Sequence, residues 1–152
     1  MLLNKHCSFS ELYPFIKEQL SGGGTACFTV KGVSMSPTLK NGIDTVCIKK
    51  PSFPLRKYDI PFYRRKGGGF VLHRVIKVKR SGYVCRGDRQ TVKEYPVTED
   101  MIVGVLCFHT HKGKTVYPGV LSRTKAFFIV HTAHLRCFLS RFYSHLNKRL
   151  LG

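Results

Sequence analysis

The sequence has little negative charge. It contains 8 Asp and Glu against 26 Lys and Arg in 152 residues, which gives a formal net charge of +18. No acidic residue follows Asp100, so the basic excess concentrates toward the C-terminus. A charge of this sign predicts attraction to nucleic acid, anionic lipid or an acidic peptide, without choosing among them.

The sequence also lacks long apolar runs and paired cysteine motifs. No stretch of about 18 apolar residues occurs, and the N-terminus has no continuous apolar segment, so we expect neither a spanning helix nor an export signal or N-terminal membrane anchor. No Cys-x-x-Cys pair suggests a zinc or redox site. Because Cys27, Cys47 and Cys107 lie in apolar, strand-like runs, reduced thiols and a cytoplasmic protein are expected.

Short alternating runs predict a mainly β chain, in which an antiparallel sheet coils on itself. A short helix from about Ser10 to Leu20 precedes the sheet, and Ser8 with Glu11 resembles its capping box. The predicted strands are Thr25 to Val30, Thr45 to Lys49, Tyr58 to Arg64, Phe70 to Lys79, Tyr83 to Arg86, Met101 to Phe108 and Lys114 to Tyr117. The sequence thus divides into an N-terminal helix (residues 1–24), a β domain (25–118) and a C-terminal helix (119–152).

The C-terminal segment from about Leu121 to Leu151 has a helical pattern with a basic, amphipathic character. Its apolar positions fall near one face: Phe128, Leu135, Phe138, Leu139, Phe142, Leu146 and Leu150. Such a helix is typical of an element that lies on an anionic membrane surface. The alternative is that the same apolar face packs on the β domain or on a partner chain.

A serine and a histidine are the candidate chemical groups. Ser34 follows a predicted strand, a glycine and a valine, where a hydroxyl can project from a rigid edge, but it needs a base within hydrogen-bond reach. His73 shares a strand face with Val71 and Val75, which places a group with a pKa near neutrality on an apolar face. Alone, such a histidine is usually a hydrogen-bonded core residue; beside the serine motif it is a candidate base.

Three motifs carry a family resemblance. In order along the chain they are Gly32-x-Ser34-Met35-x-Pro37-Thr38-Leu39, Val71-Leu72-His73-Arg74-Val75 and Arg86-Gly87-Asp88. They resemble the three sequence motifs of the signal peptidase I superfamily, which also contains the LexA-type self-cleaving repressors. The resemblance covers roughly Thr29 to Leu106 and implies a coiled β-sheet catalytic core.

The resemblance also implies roles for these residues. Ser34, rather than Ser36, is the nucleophile, and His73 is the base, as in the Ser-His branch that includes the endoplasmic-reticulum type. Asp88 of the third motif would orient the imidazole. Glu94, six residues further on, is a second acidic candidate, and the sequence does not choose between the two. Where many relatives have a small hydroxyl residue that supports the oxyanion, this chain has Gly32, so backbone N–H groups would serve.

We therefore expect a serine endopeptidase that acts on a peptide or precursor protein and needs no metal or organic cofactor. Cleavage after small residues is the preference that the family implies. The alternatives are a catalytically silent peptide-binding module and a basic protein that binds anionic lipid or nucleic acid. Nucleic acid is disfavoured because no recognised binding motif accompanies the basic residues. The remaining histidine pairs, His109 with His111 and His131 with His134, are expected to be solvent-exposed rather than metal ligands.

Overall fold

A computed structural model describes residues 9–139 and 142 of the chain. The described residues form two α-helices and a shorter helical stretch at residues 133–139, together with nine strands and one 3-10 turn. In chain order they are α1 (Phe9–Ser21), β1 (Thr25–Thr29), β2 (Thr45–Lys49), β3 (Pro61–Arg64), β4 (Phe70–Leu72), β5 (Arg74–Lys79), β6 (Gly82–Arg86), β7 (Glu94–Val97), the 3-10 turn (Glu99–Met101), β8 (Ile102–His111), β9 (Lys114–Val116) and α2 (Val120–His131). Residues 133–139 are again helical.

The strands form a curled, antiparallel arrangement of two sheets. The larger sheet has the order β1-β2-β8-β3-β4, with β9 paired to the outer end of β8, and the smaller sheet has the order β5-β6-β7. The expected mainly β chain with a coiled antiparallel sheet is therefore confirmed. Between the sheets lies a core cluster that contains Tyr63, Val75, Cys85 and Val97, all fully or almost fully buried.

His73 marks the point where the chain passes from one sheet to the other. The sequence predicts one strand from Phe70 to Lys79, whereas the structure divides it into β4 and β5 at His73. β4 pairs with β3, while β5 turns away and pairs with β6. The bend places the His73 side chain in the interior between the two sheets, where it is 1% exposed.

Helix α1 covers one end of the larger sheet. Ile16 and Leu20, one helical turn apart, are buried against Ala26, Ile48 and Phe62. The helix bounds agree closely with the predicted 10–20. The predicted capping box includes Ser8, which lies outside the described residues.

The cysteines correct one expectation. Cys27 and Cys47 are direct partners in the β1–β2 register, and they form a disulfide rather than remaining reduced. The physical reason is that antiparallel pairing places facing side chains close together, which the wide sequence spacing does not reveal. Cys85, Cys107 and Cys137 are free thiols.

Within the described residues the C-terminal segment is helical at Val120–His131 and at residues 133–139, and a turn at Thr132 separates the two stretches. The helical hydrogen bonds continue through the turn, from Thr132 N to Phe128 O and from Arg136 N to Thr132 O, both 2.9 Å. The predicted apolar positions Leu146 and Leu150 lie outside the described residues. No helix in the described part of the chain is both long and apolar enough to cross a bilayer.

Candidate active site

The Ser34 turn is anchored by the residues around it. β1 ends at Thr29, and residues 34–38 form a turn instead of continuing the strand. Met35 and Leu39 are buried in a core cluster below the turn, which leaves Ser34 half-buried at the surface. Gly32 has a φ of +94°, a conformation that suits glycine, and its N–H donates to Asn41 Oδ1 at 2.9 Å. The turn is therefore held by apolar anchors on one side and a side-chain hydrogen bond on the other.

The His73 imidazole lies in a buried hydrogen-bonded group. Its Nδ1 is 3.0 Å from Glu94 Oε1 and 3.4 Å from the Tyr63 hydroxyl oxygen. The Tyr63 hydroxyl donates to Glu94 Oε2 at 3.0 Å, and Arg65 binds both carboxylate oxygens. A carboxylate at Nδ1 favours the tautomer with the proton on that atom, which leaves Nε2 as the basic nitrogen.

For both His73 and Glu94, burial shifts the pKa in one direction, and the interaction between the two groups shifts it in the other. Burial lowers the pKa of His73 below its ordinary 6.5, although the charge of Glu94 and its hydrogen bond act to raise it. Burial would raise the pKa of Glu94, but hydrogen bonds from Arg65 and Tyr63 and the neighbouring His73 outweigh burial and lower it. Near pH 7 the pair is therefore a carboxylate beside a neutral imidazole.

Asp88 does not make the contact that the resemblance implies. Its carboxylate accepts two hydrogen bonds from Arg74, at 2.8 and 2.7 Å, and one from the Thr38 hydroxyl. Glu94, the alternative candidate, occupies the place at His73 Nδ1. The physical reason is that His73 and Arg74 are consecutive in an extended chain and point to opposite sides, and Asp88 lies on the Arg74 side.

The three motifs meet in space. Arg74 of the second motif and Asp88 of the third form a buried ion pair, and Thr38 of the first motif bonds to both. The backbone N–H of Arg89 donates to Ser34 O at 2.8 Å. A Cβ at Gly87 would lie 2.7 Å from the same oxygen, so only glycine permits this approach. The turn of the third motif thus packs directly on the nucleophile candidate.

Ser34 opens onto a small apolar pocket of about 100 Å³. The pocket is lined by Phe28, Val30, Lys31, Gly32, Ser34, Met35, Leu39, Phe62, Phe70, Val71 and Leu72. Leu72, which lines this pocket, precedes His73 in the chain, and the His73 side chain is buried in the interior between the two sheets. Among the described residues no hydrogen bond joins Ser34 to His73.

The backbone around Ser34 has free donors. Within residues 9–139 the N–H groups of Ser34 and Met35 make no hydrogen bond, whereas Ser36 N donates to Val33 O at 3.1 Å. Two adjacent free N–H groups beside a candidate nucleophile are the donors that an oxyanion requires.

The other histidines are arranged differently from one another. His131 and His134 are exposed, as expected. His109 and His111 are half-buried instead, and His111 Nδ1 lies 2.6 Å from the buried carboxylate of Asp44. Within the described part of the chain no group of three or more His, Cys, Asp or Glu side chains has the arrangement of a metal site.

Sequence reasoning missed Tyr63 and Arg65 as parts of the His73 group. Both residues belong to or follow β3, which is antiparallel to the strand that leads to His73. Alternation along β3 offered a signal, because Tyr63 and Arg65 share one face of that strand.

Comparison of the chain with protein-family models found no match, and comparison with curated proteins found none either. The candidate site therefore rests on the geometry described above and on the resemblance of the three motifs.

Proposed function

We propose that this chain is a serine endopeptidase of the signal peptidase I type, which cleaves a peptide or precursor protein by acyl transfer. The observation that carries the proposal is the buried imidazole of His73, whose Nδ1 lies 3.0 Å from Glu94 Oε1 and which follows Leu72 of the pocket that contains Ser34. A nucleophile, a base and a carboxylate that orients the base are the parts that this chemistry requires.

The reaction proceeds in two halves. Ser34 Oγ attacks the substrate carbonyl carbon while its proton passes to His73 Nε2. The imidazolium then returns this proton to the leaving nitrogen, the C–N bond breaks, and an ester remains on Ser34. A water molecule, deprotonated by His73, attacks the ester and releases the new carboxyl terminus and the free serine.

Groups near Ser34 and His73 stabilise the charges that form in both halves of the reaction. Glu94 accepts a hydrogen bond from the Nδ1–H of His73 and stabilises the imidazolium that forms. The N–H groups of Ser34 and Met35 stabilise the negative oxygen of the tetrahedral intermediate. Since burial lowers the pKa of His73 below 6.5, the imidazole is mostly neutral at pH 6.5 and above and can act as a base there.

The size of the pocket limits the substrate. A volume of about 100 Å³ with mostly apolar walls accepts a short apolar side chain next to the cleaved bond. This agrees with the preference for small residues that the family resemblance implies. The edge strand β4, which pairs only with β3 among the described residues and contributes three of the pocket's residues, is a surface on which an extended peptide can add as a further strand.

The test is mass spectrometry of a mixed peptide library incubated with the wild-type protein and two variants. Ser34→Ala removes the nucleophile, whereas Ser36→Ala removes a hydroxyl from the same turn. We expect cleavage by the wild type and by Ser36→Ala, and a loss of about 10⁶-fold in Ser34→Ala, as for the loss of a serine nucleophile elsewhere. Cleavage that persists in Ser34→Ala, or that is lost in Ser36→Ala alone, contradicts the proposal.

A non-cleaving peptide-binding module is the second candidate. The absence of a Ser34–His73 hydrogen bond among the described residues favours it, although such bonds often tighten only when substrate binds. A binder keeps its affinity for a captured peptide in Ser34→Ala and releases no product from the wild type. Equilibrium binding and product detection on the same peptide therefore separate the two functions.

A further inference from the structure

The helical segment from Val120 to residue 139 docks on the β domain through its smallest side chains. Ala126 and Ala133 are each 1% exposed and lie seven residues apart, which places them on one face of a helix. A helix that stabilises a fold by hydrophobic packing normally buries its Phe and Leu residues. This segment buries alanines instead.

Polar links fix this orientation. Arg86 Nη2 donates to Val130 O at 2.7 Å, and Arg136 Nη2 donates to Asp88 O at 3.0 Å. Cys137 Sγ donates to Arg89 O at 3.1 Å. These bonds come from both sides of the contact, so the segment is held with one defined face outward.

The outward face is apolar. Phe128, Leu135, Phe138, Leu139 and Phe142, called here the phenylalanine face, have exposed fractions between 42% and 66%. At 100° per residue, Phe128, Leu135, Phe138 and Leu139 fall within about one third of the helix circumference, opposite Ala126 and Ala133. The rings of Phe138 and Phe142 stack, with centroids 6.5 Å apart. A contiguous set of this size marks a surface that another phase or molecule covers.

The positive charge near the phenylalanine face indicates which kind of molecule or surface would cover it. Eight Lys and Arg and no Asp or Glu follow Asp100 in the sequence. Lys125 is exposed on α2, and Lys112 and Lys114 are exposed at the β8–β9 hairpin. Two copies of a chain with a net charge of +18 repel each other, which disfavours self-association through this face. An anionic lipid surface offers both an apolar layer for the aromatic rings and negative charge for the lysines.

We propose that the phenylalanine face of the C-terminal helical segment binds an anionic membrane surface. The aromatic rings insert between the lipid headgroups while the polar links at Arg86 and Arg136 keep the β domain attached above them. Because Arg136 and Cys137 of this segment bond to the turn of residues 87–89 that packs on Ser34, the segment also brings the candidate site to the membrane. Lipid binding itself does not depend on the proposed peptidase activity.

The experiment is co-sedimentation of the full chain with vesicles of phosphatidylcholine, with and without phosphatidylglycerol. We expect binding that requires phosphatidylglycerol and weakens as salt is added. Phe138→Ser removes one ring of the face and should weaken binding about 10-fold, since burying a Phe side chain contributes about one such factor or more. Phe128→Ser with Phe138→Ser should weaken it about 100-fold.

Phe15→Ser is the matched control, because Phe15 on α1 and Phe138 are both 66% exposed. It should leave vesicle binding unchanged, and circular dichroism checks that every variant is folded. Wild-type protein that fails to bind anionic vesicles overturns the proposal. So does an equal loss in Phe15→Ser and Phe138→Ser, or light scattering that shows lipid-free dimers which Phe138→Ser dissociates, because the face would then belong to a second copy.

Discussion

Two carboxylates, those of Asp88 and Glu94, lie near the start of β5, and they differ in how far they are exposed to solvent. Asp88 is 1% exposed and pairs with the buried guanidinium of Arg74. Glu94 is 23% exposed and pairs with the buried His73 and with Arg65, which is 44% exposed. Both belong to the segment that follows β6, yet one binds a permanent cation and the other binds a group that titrates.

This difference in burial and partner indicates a structural role for Asp88 and a role in the proposed reaction for Glu94. A buried carboxylate that pairs with an arginine stabilises the fold while both partners are present, because removing one of them leaves an uncompensated ion in the interior. A carboxylate that pairs with a histidine and is partly open to water stabilises the positive charge that the imidazole acquires when it takes up a proton. Asp88 therefore ties the three motifs together, while Glu94 orients the proposed base.

The largest effect we expect is on stability when Asp88 is changed. Asp88→Asn leaves Arg74 buried without its counter-charge and should lower the free energy of unfolding by about 3 to 5 kcal/mol. Urea or guanidinium unfolding measures this loss. The double variant Asp88→Asn with Arg74→Met should recover part of it, because the unpaired charge is gone.

Asp59→Asn is the control for this change. Asp59 lies 3.9 Å from Arg123 in an ion pair that is partly open to solvent, so its loss should cost less than about 1 kcal/mol. If Asp88→Asn destabilises the protein no more than Asp59→Asn does, the Arg74–Asp88 pair is not the support that we infer.

The next effect is on activity when Glu94 is changed. Glu94→Gln should reduce kcat on the order of 10²-fold, less than for a fully buried triad aspartate, because Glu94 is partly exposed. It should also lower the pKa of His73 further, since the charge of Glu94 acts to raise that pKa. Stability should change by less than about 1 kcal/mol, as for other solvent-accessible pairs.

Nuclear magnetic resonance titration of the imidazole reads this pKa without any substrate. Asp88→Asn should move the pKa of His73 less than Glu94→Gln does, because Glu94 is the larger influence. A larger shift in Asp88→Asn would reverse the two roles, and a loss of stability in Glu94→Gln equal to its loss of activity would make Glu94 a structural residue.

Part of this arrangement is predictable from sequence. Alternation places His73 between Val71 and Val75, and helical spacing places Ile16 and Leu20 together in α1; both patterns are local. These two predictions are correct because each depends on residues within a short stretch of the chain. The shared role of Ser34 and His73, which the order of the motifs implies, stays a prediction.

The choice between Asp88 and Glu94 could not be predicted, because it depends on how the smaller sheet curls. Position 88 is in a turn and position 94 begins β7, a strand that Pro96 obscures in the sequence. Only the three-dimensional path of β5, β6 and β7 brings Glu94 to His73. The Cys27–Cys47 disulfide was missed for the same reason, since the register between β1 and β2 is a tertiary property.

The smallest effect we expect is in the pH dependence of stability, to which the buried His73 contributes. Because the folded chain holds the pKa of His73 below 6.5, the unfolded chain binds a proton more readily as the pH falls below that value. The contribution of His73 to the free energy of unfolding is therefore complete above pH 6.5 and is lost as the pH falls toward the lowered pKa. Unfolding measured between roughly pH 5 and 7 should show this decline in the wild type and in Asp88→Asn, and His73→Gln should flatten it. An unchanged slope in His73→Gln would mean that another group titrates, and the imidazole would then not be the buried base on which the comparison depends.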